Sequence, residues 1–180
     1  MRLFIAVPLM AVVIAELSEV SLRLRSVGDG HRWSAPETWH ITLQFLGNTS
    51  QELYECVVSR LREVRLKPVP VQLDGLGFFD RAGVFFAGVT VTPELLLLQK
   101  QIAASTEACG FVPESRPFQP HITLARSKDR GQSLAGLKAR MPLQPHFTRF
   151  VAEEFLLYES FLGSAGAHHE VRERFPLGGR

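Results

Sequence analysis

Two copies of one tetrapeptide, His40-Ile41-Thr42-Leu43 and His121-Ile122-Thr123-Leu124, stand far apart in a chain of 180 residues. In an extended strand successive side chains point to opposite faces, so each His shares a face with its Thr while Ile and Leu face the other way. Each copy can therefore line a pocket with one face and anchor a core with the other. A strand residue and its i+2 neighbour lie roughly 7 Å apart, a spacing at which an imidazole and a hydroxyl can flank a group of phosphate size. Two such strands set face to face would surround one anion with two imidazoles and two hydroxyls, an arrangement suited to acid–base attack at phosphorus.

The surrounding sequence supplies strands and helices to carry both copies. Arg2 to Val7 reads as a first strand. Pro8 interrupts the apolar start and no small-residue cleavage site follows, so this is not read as a signal peptide. Leu9 to Leu24 has helical spacing at Val13, Leu17, Val20 and Leu24. The Gly28-Asp29-Gly30 turn follows, then a strand over Trp39 to Leu46. Asn48 to Ser50 offers caps for a helix from Glu52 to Leu66. Val69 to Phe79 and Gly83 to Val91 form a hairpin turning at Asp80-Arg81-Ala82. Pro93 sits in the first turn of a helix that runs through Leu95 to Cys109 and stops at Gly110. After the loop of Pro113, Pro117 and Pro120, His121 to Arg126 is a strand, Ser133 to Ala139 a short helix and His146 to Glu159 a long strand. A turn over Gly163 to Gly166 leads to a last strand through His168 to Phe175. The elements fall into two similar sets, each with one His-x-Thr strand, which implies an internal duplication with pseudo-twofold symmetry.

Composition narrows the function classes. A hydrophobic fraction of 46% supports a compact core, and a formal charge of +2 excludes a protein that coats long nucleic acid through many phosphates. No apolar run approaches the roughly 20 residues that cross a bilayer. Cys56 and Cys109 fall in helical stretches without metal-ligand spacing, which makes a reducing cytoplasm the simplest home. His31, His146, His168 and His169 lack metal-site spacing and are expected in surface or loop roles. Phe78, Phe79, Phe85 and Phe86 are expected in the hairpin core, with one side available to stack a terminal base.

The duplicated phrase, with an apolar residue after each Thr, resembles the two-histidine phosphoesterase superfamily, and within it the RNA 2′,3′-cyclic phosphodiesterases, also described as 2′-5′ RNA ligases. Further support comes from Met1 to Val7, Trp39 to Gly47, Arg116 to Arg126, and the ending from Glu159-Ser160 to Phe175-Pro176-Leu177. The resemblance implies an α+β fold over residues 1–180, one two-lobed domain in which two antiparallel sheets backed by helices cup a central groove. It implies metal-free, cofactor-free opening of a terminal ribose 2′,3′-cyclic phosphate to a 2′-phosphate, by a cytoplasmic monomer acting on RNA ends or small nucleotides and on no membrane. Carried over by position, His40 is the proton donor, His121 the proton acceptor, and Thr42, Thr123 and Arg126 the phosphate-binding groups. The chain departs from the family pattern at Phe161, where Arg is common, at His169, where Tyr is common, and at Gln119, where His is frequent. Two alternatives stay open: the reverse reaction, 2′-5′ ligation, and a module that binds a nucleotide or an RNA end without turnover.

Overall fold

A computed structural model of the chain describes residues 1–25, 30–128, 134–141, 144–163 and 166–178. Its first half runs β1 (Arg2–Pro8), α1 (Ala11–Leu24), β2 (His31–Trp33), β3 (His40–Asn48) and α2 (Gln51–Leu61). The second half runs β4 (Val69–Val71), β5 (Leu73–Phe79), β6 (Val84–Val89), α3 (Pro93–Glu107), β7 (His121–Ser127), α4 (Ala135–Ala139), β8 (Phe150–Ala152), β9 (Glu154–Gly163) and β10 (Gly166–Pro176). The fold is α+β, with two four-stranded sheets in the orders β10-β9-β1-β3 and β2-β7-β6-β5, and a two-stranded ribbon of β4 with β8. Every strand pairing among the described residues is antiparallel.

The two large sheets repeat one plan. A strand, a helix, the His-x-Thr strand and a second helix occur as β1-α1-β3-α2 and again as β6-α3-β7-α4. In each set the first strand pairs directly with the His-x-Thr strand, β1 with β3 and β6 with β7. The helices lean on the sheets through apolar stripes at helical spacing: Val13, Leu17 and Leu24 of α1, Val57, Val58 and Leu61 of α2, and Leu95, Leu98 and Ile102 of α3 are all buried. These side chains join Ile41, Leu43, Ile122 and Leu124 in one continuous core, where each fully buried aliphatic contributes about 1.5–3 kcal/mol.

Helix boundaries follow local chemistry. Ser50 and Thr92 cap α2 and α3, each hydroxyl accepting the backbone N–H three residues on. Met10 keeps extended geometry, so α1 starts at Ala11 rather than Leu9. A tight turn closed by the Val64 N–H on the Leu61 carbonyl ends α2 five residues short of the expected Leu66.

Two expected long strands are each divided. Val69 to Phe79 breaks into β4 and β5, and His146 to Glu159 into β8 and β9. The cause is a change of partner: β4 and β8 pair with each other while β5 and β9 join different large sheets. β2 is three residues long, too short to leave a periodic signal, and is fixed instead by its pairing to β7. Gly28 and Asp29 of the expected turn, Ser133 of the short helix and the centre of the Gly163–Gly166 turn lie outside the described residues.

The cysteines also differ from expectation. Cys56 in α2 and Cys109 just beyond α3 form a disulfide, with Cα atoms 5.9 Å apart and a sequence separation of 53. The bond staples the helix that follows one His-x-Thr strand to the helix that precedes the other.

Candidate active site

His40 and His121 open their strands, and each is anchored by the same local device. The Nδ1 of His40 lies 2.7 Å from the Thr38 carbonyl and that of His121 lies 2.9 Å from the Gln119 carbonyl. Both carbonyls belong to proline-bounded segments: Pro36 starts the tight turn that ends at Thr38, and Gln119 is followed by Pro120. A carbonyl can only accept, so Nδ1 carries the hydrogen and Nε2 is left bare in the neutral ring. Each imidazole is thereby oriented with one nitrogen occupied and the other available to take or give a proton.

Alternation places Thr42 beside His40 and Thr123 beside His121, as their common half-burial shows against buried Ile41, Leu43, Ile122 and Leu124. Beyond each Thr both strands carry a bulge. Ala6 pairs with Thr42 and Ile5 with Gln44, leaving Leu43 as the extra residue; Phe86 pairs with Thr123 and Phe85 with Ala125, leaving Leu124 as its twin. The insertion shifts alternation by one, so the residue five after the histidine returns to the histidine's face. That residue is Arg126 in β7 and Phe45 in β3. Strict alternation would have turned Arg126 away from His121.

Both imidazoles, both threonines and Arg126 line one cavity of about 610 Å³. Arg2 and Arg32 join Arg126 on its wall, and none of the described lining residues is Asp or Glu. Arg32 lies directly opposite Arg126 in the β2–β7 register. Like charges in that relation repel, and no carboxylate pairs with Arg2, Arg32 or Arg126 among the described residues, so an anion between them would relieve the repulsion. Among the described residues no group of three or more His, Cys, Asp or Glu is placed to hold a metal ion.

Aromatic rings back both histidines in matching fashion. Phe4 stacks on Tyr158 at 5.0 Å and lies 4.6 Å from His40; Phe86 stacks on Phe79 at 4.1 Å, with both rings edge-on to His121. Of the hairpin phenylalanines, Phe85 lies in the core with Phe78 packed against it, as expected, while Phe79 and Phe86 buttress His121; none of the four lines the cavity, which corrects the expected base-stacking side. Its aromatic walls are Phe4, Phe45, Trp33 and Trp39.

Two of the four remaining histidines also depart from the surface or loop roles expected of them. His31 is buried in β2, and His169 lines the cavity with its ring edge-on to His40 at 5.3 Å. His146 and His168 are exposed. Phe161 faces outward beside His168, off the cavity wall. Position 119 acts through its backbone, so Gln there keeps the bond that orients His121.

Burial pushes the His40 pKa down to about 4, against the upward pull of the Thr38 carbonyl and with smaller downward contributions from His169 and His121. Burial likewise lowers His169. With no anion beside it His40 is neutral near pH 7, and it becomes an acid only when an anion arrives to stabilise its cationic form.

Comparison with known proteins places this geometry among relatives. A family model described as the 2′-5′ RNA ligase superfamily matches residues 15–159. An RNA 2′,3′-cyclic phosphodiesterase of Aquifex aeolicus is 30% identical over 173 residues, covering 92% of this chain and 90% of that protein. The crystal structure of TT0787 from Thermus thermophilus superposes with a TM-score of 0.81 at 32% identity, covering 99% of both chains. That of Escherichia coli LigT complexed with 3′-AMP gives a TM-score of 0.83 at 25% identity over 99% of this chain and 98% of that one.

Proposed function

The chain belongs to the 2′-5′ RNA ligase superfamily, and on that footing we propose that it hydrolyses the 2′,3′-cyclic phosphate at RNA ends to a 2′-phosphomonoester. The observation that carries the reading is the pair of imidazoles on one cavity, each with Nδ1 tied to a carbonyl and Nε2 free. The name of the Aquifex relative and the 3′-AMP held by the E. coli neighbour support the substrate class.

In the proposed step a water oxygen attacks phosphorus while the bond from phosphorus to the ribose 3′ oxygen breaks. His121 Nε2 takes the water's proton, and His40 Nε2 donates one to the departing 3′ oxygen. Thr42, Thr123 and Arg126 hold the non-bridging oxygens, the guanidinium presenting paired donors to the phosphate. The anion that is being opened also stabilises charge on His40, so the acid is generated where it is used. With a 5′-hydroxyl RNA in place of water as the nucleophile, the same proton transfers and the same cleavage of the bond from phosphorus to the 3′ oxygen give a 2′-5′ linkage, which is the second reading that the family's name favours.

The test is incubation of purified protein with RNA bearing a 2′,3′-cyclic end, with chelator present, with and without a 5′-hydroxyl RNA. A 2′-phosphate end is the expected product. His40→Ala and His121→Ala are each expected to lose roughly 100- to 10,000-fold in rate. Wild-type turnover by either variant overturns the assignment; a 2′-5′ linked product establishes ligation; binding without turnover establishes a nucleotide-binding module.

The remaining parts of the reading are a single two-lobed domain spanning 1–180 that acts as a monomer in the cytoplasm. No described helix is long and apolar enough to cross a membrane. The Cys56–Cys109 bond sits least easily with a reducing compartment, where such bonds are rare outside hyperthermophiles. Thiol counting on protein taken directly from cells, under alkylating conditions, checks the location: two free thiols fit a reducing cytoplasm, and an intact bond does not.

A further inference from the structure

The three guanidinium groups of the cavity divide between the two sheets. Arg126 and Arg32 stand on β7 and β2, in the sheet that carries His121, while Arg2 stands on β1, in the sheet that carries His40. The proposed step gives Arg126 the reacting phosphate and leaves Arg2 without a task. Arg2 is exposed and has no carboxylate partner among the described residues.

The roles of the histidines fix the side of the phosphorus on which the nucleoside lies. His40 protonates the departing 3′ oxygen, which belongs to the ribose, and His121 faces the water opposite, so the nucleoside extends along the sheet of His40. On that sheet the cavity wall runs from His40 over Phe4, whose ring lies 4.6 Å away, to Arg2. Arg2 and Phe4 are two residues apart on one face of β1, a step of roughly 7 Å. Gly47, paired with the intervening Leu3, leaves this wall bare: a Cβ there would meet no atom within 4 Å, so open space continues toward Arg2. A nucleotide within an RNA strand carries its second phosphate on the 5′ oxygen, one ribose away from the first. Arg2 offers that phosphate a fork of paired donors on a flexible stem.

Resting on the phosphodiesterase reading for the identity and direction of its ligand, we propose that Arg2 binds the 5′-side phosphodiester of the nucleotide whose cyclic phosphate sits between His40 and His121. The cavity is then built for two successive phosphates of one strand, the first at the imidazoles and the second at Arg2. A nucleoside 2′,3′-cyclic phosphate fills only the first. The protein therefore favours the end of an RNA chain over a free cyclic mononucleotide, and it does so through the backbone, without selecting sequence.

The test uses wild type, Arg2→Ala and Arg2→Lys, each with ligands that carry or lack the second phosphate. Equilibrium binding compares adenosine 3′,5′-bisphosphate with 3′-AMP, and kcat/KM compares a diadenosine dinucleotide bearing a 2′,3′-cyclic end with adenosine 2′,3′-cyclic phosphate. Wild type is expected to favour the ligand with the second phosphate roughly ten-fold in each pair. Arg2→Ala is expected to bring both ratios close to one, and Arg2→Lys, which keeps the charge, to restore most of the preference. Both members of a pair are measured on the same protein, so a misfolded fraction or a general loss of positive potential cancels in the ratio. Ratios near one in wild type overturn the proposal, as do ratios in Arg2→Ala that match those of wild type. Should wild type turn over neither cyclic substrate yet lose its preference for the bisphosphate on truncation of Arg2, the phosphodiesterase reading fails and the second phosphate site stands. Wild type that binds neither the bisphosphate nor 3′-AMP overturns that site itself.

Discussion

A histidine serves as acid or base only where its protonation can follow the chemistry, and His40 meets that condition through its burial. Its pKa of about 4 with no anion bound means that the ring is neutral at pH 7, with Nδ1 protonated and Nε2 bare. An anion that raises this pKa must draw a proton from solvent as it binds. The sign follows directly: affinity for phosphate or 3′-AMP rises as pH falls from the bound pKa toward 4, and levels off below it because the free protein is then protonated too. Calorimetric titration with 3′-AMP at pH 7, in two buffers of different ionisation enthalpy, should show proton uptake on binding, and His40→Ala should lose that uptake. Heats that are independent of buffer in the wild type would contradict the coupling. Among the site residues, His40, His121, Thr42 and Thr123 were legible because period-2 alternation alone puts each pair on one face. Arg126 was reached only through family resemblance, and Phe45, Arg2 and Arg32 were not reached as site residues, since a bulge and a three-residue strand leave no periodic trace.

At the scale of elements, the bulge that re-aims Phe45 turns Gln44 inward, where a polar side chain needs a partner. Thr106 of α3 provides it, its buried hydroxyl donating to Gln44 Oε1 at 2.9 Å. Thr106→Val keeps the shape and removes the donor, so it should cost about 1–3 kcal/mol of stability by denaturant unfolding, the penalty of an orphaned buried acceptor. An unchanged midpoint would show that Gln44 finds another partner. The Cys56–Cys109 bond closes a loop of 53 positions, for which chain entropy gives about 4 kcal/mol of stabilisation. Unfolding of the Cys56→Ala, Cys109→Ala double variant measures this, and wild-type stability in that variant would mean that the closed loop contributes nothing. Helix-period and alternation patterns located the helices and the long strands. They could not show where a chain leaves one sheet for another, so β4 and β5, and β8 and β9, were each read as one strand.

Across the whole molecule, charge is distributed in a way that a net +2 conceals. Outside the cavity, cations meet carboxylates: Arg23 with Glu19, Arg62 with Glu173, Arg172 with Glu159, Arg174 with Glu154 and Lys138 with Asp80. On the cavity wall Arg2, Arg32 and Arg126 have no such partners among the described residues, which concentrates positive potential where phosphate is to bind. With three guanidinium groups, the log–log slope of oligonucleotide affinity against salt should not exceed about 2 in magnitude, against the far steeper dependence of proteins that coat nucleic acid. A slope several times larger, measured by fluorescence anisotropy, would require a binding surface beyond this cavity. The duplicated plan was visible in the repeated tetrapeptide and in the order of strands and helices. The likeness of the two bulges and of the paired rings behind each histidine was not, because the residues that build them differ between the copies.

All of this depends on the two imidazoles reaching opposite sides of one phosphorus. A crystal structure with inorganic phosphate bound is the most direct measurement: a single phosphate should sit between His40 Nε2 and His121 Nε2, within hydrogen-bond distance of both and of the Thr42 and Thr123 hydroxyls. A phosphate held by one histidine alone, or seated elsewhere on the protein, would contradict it.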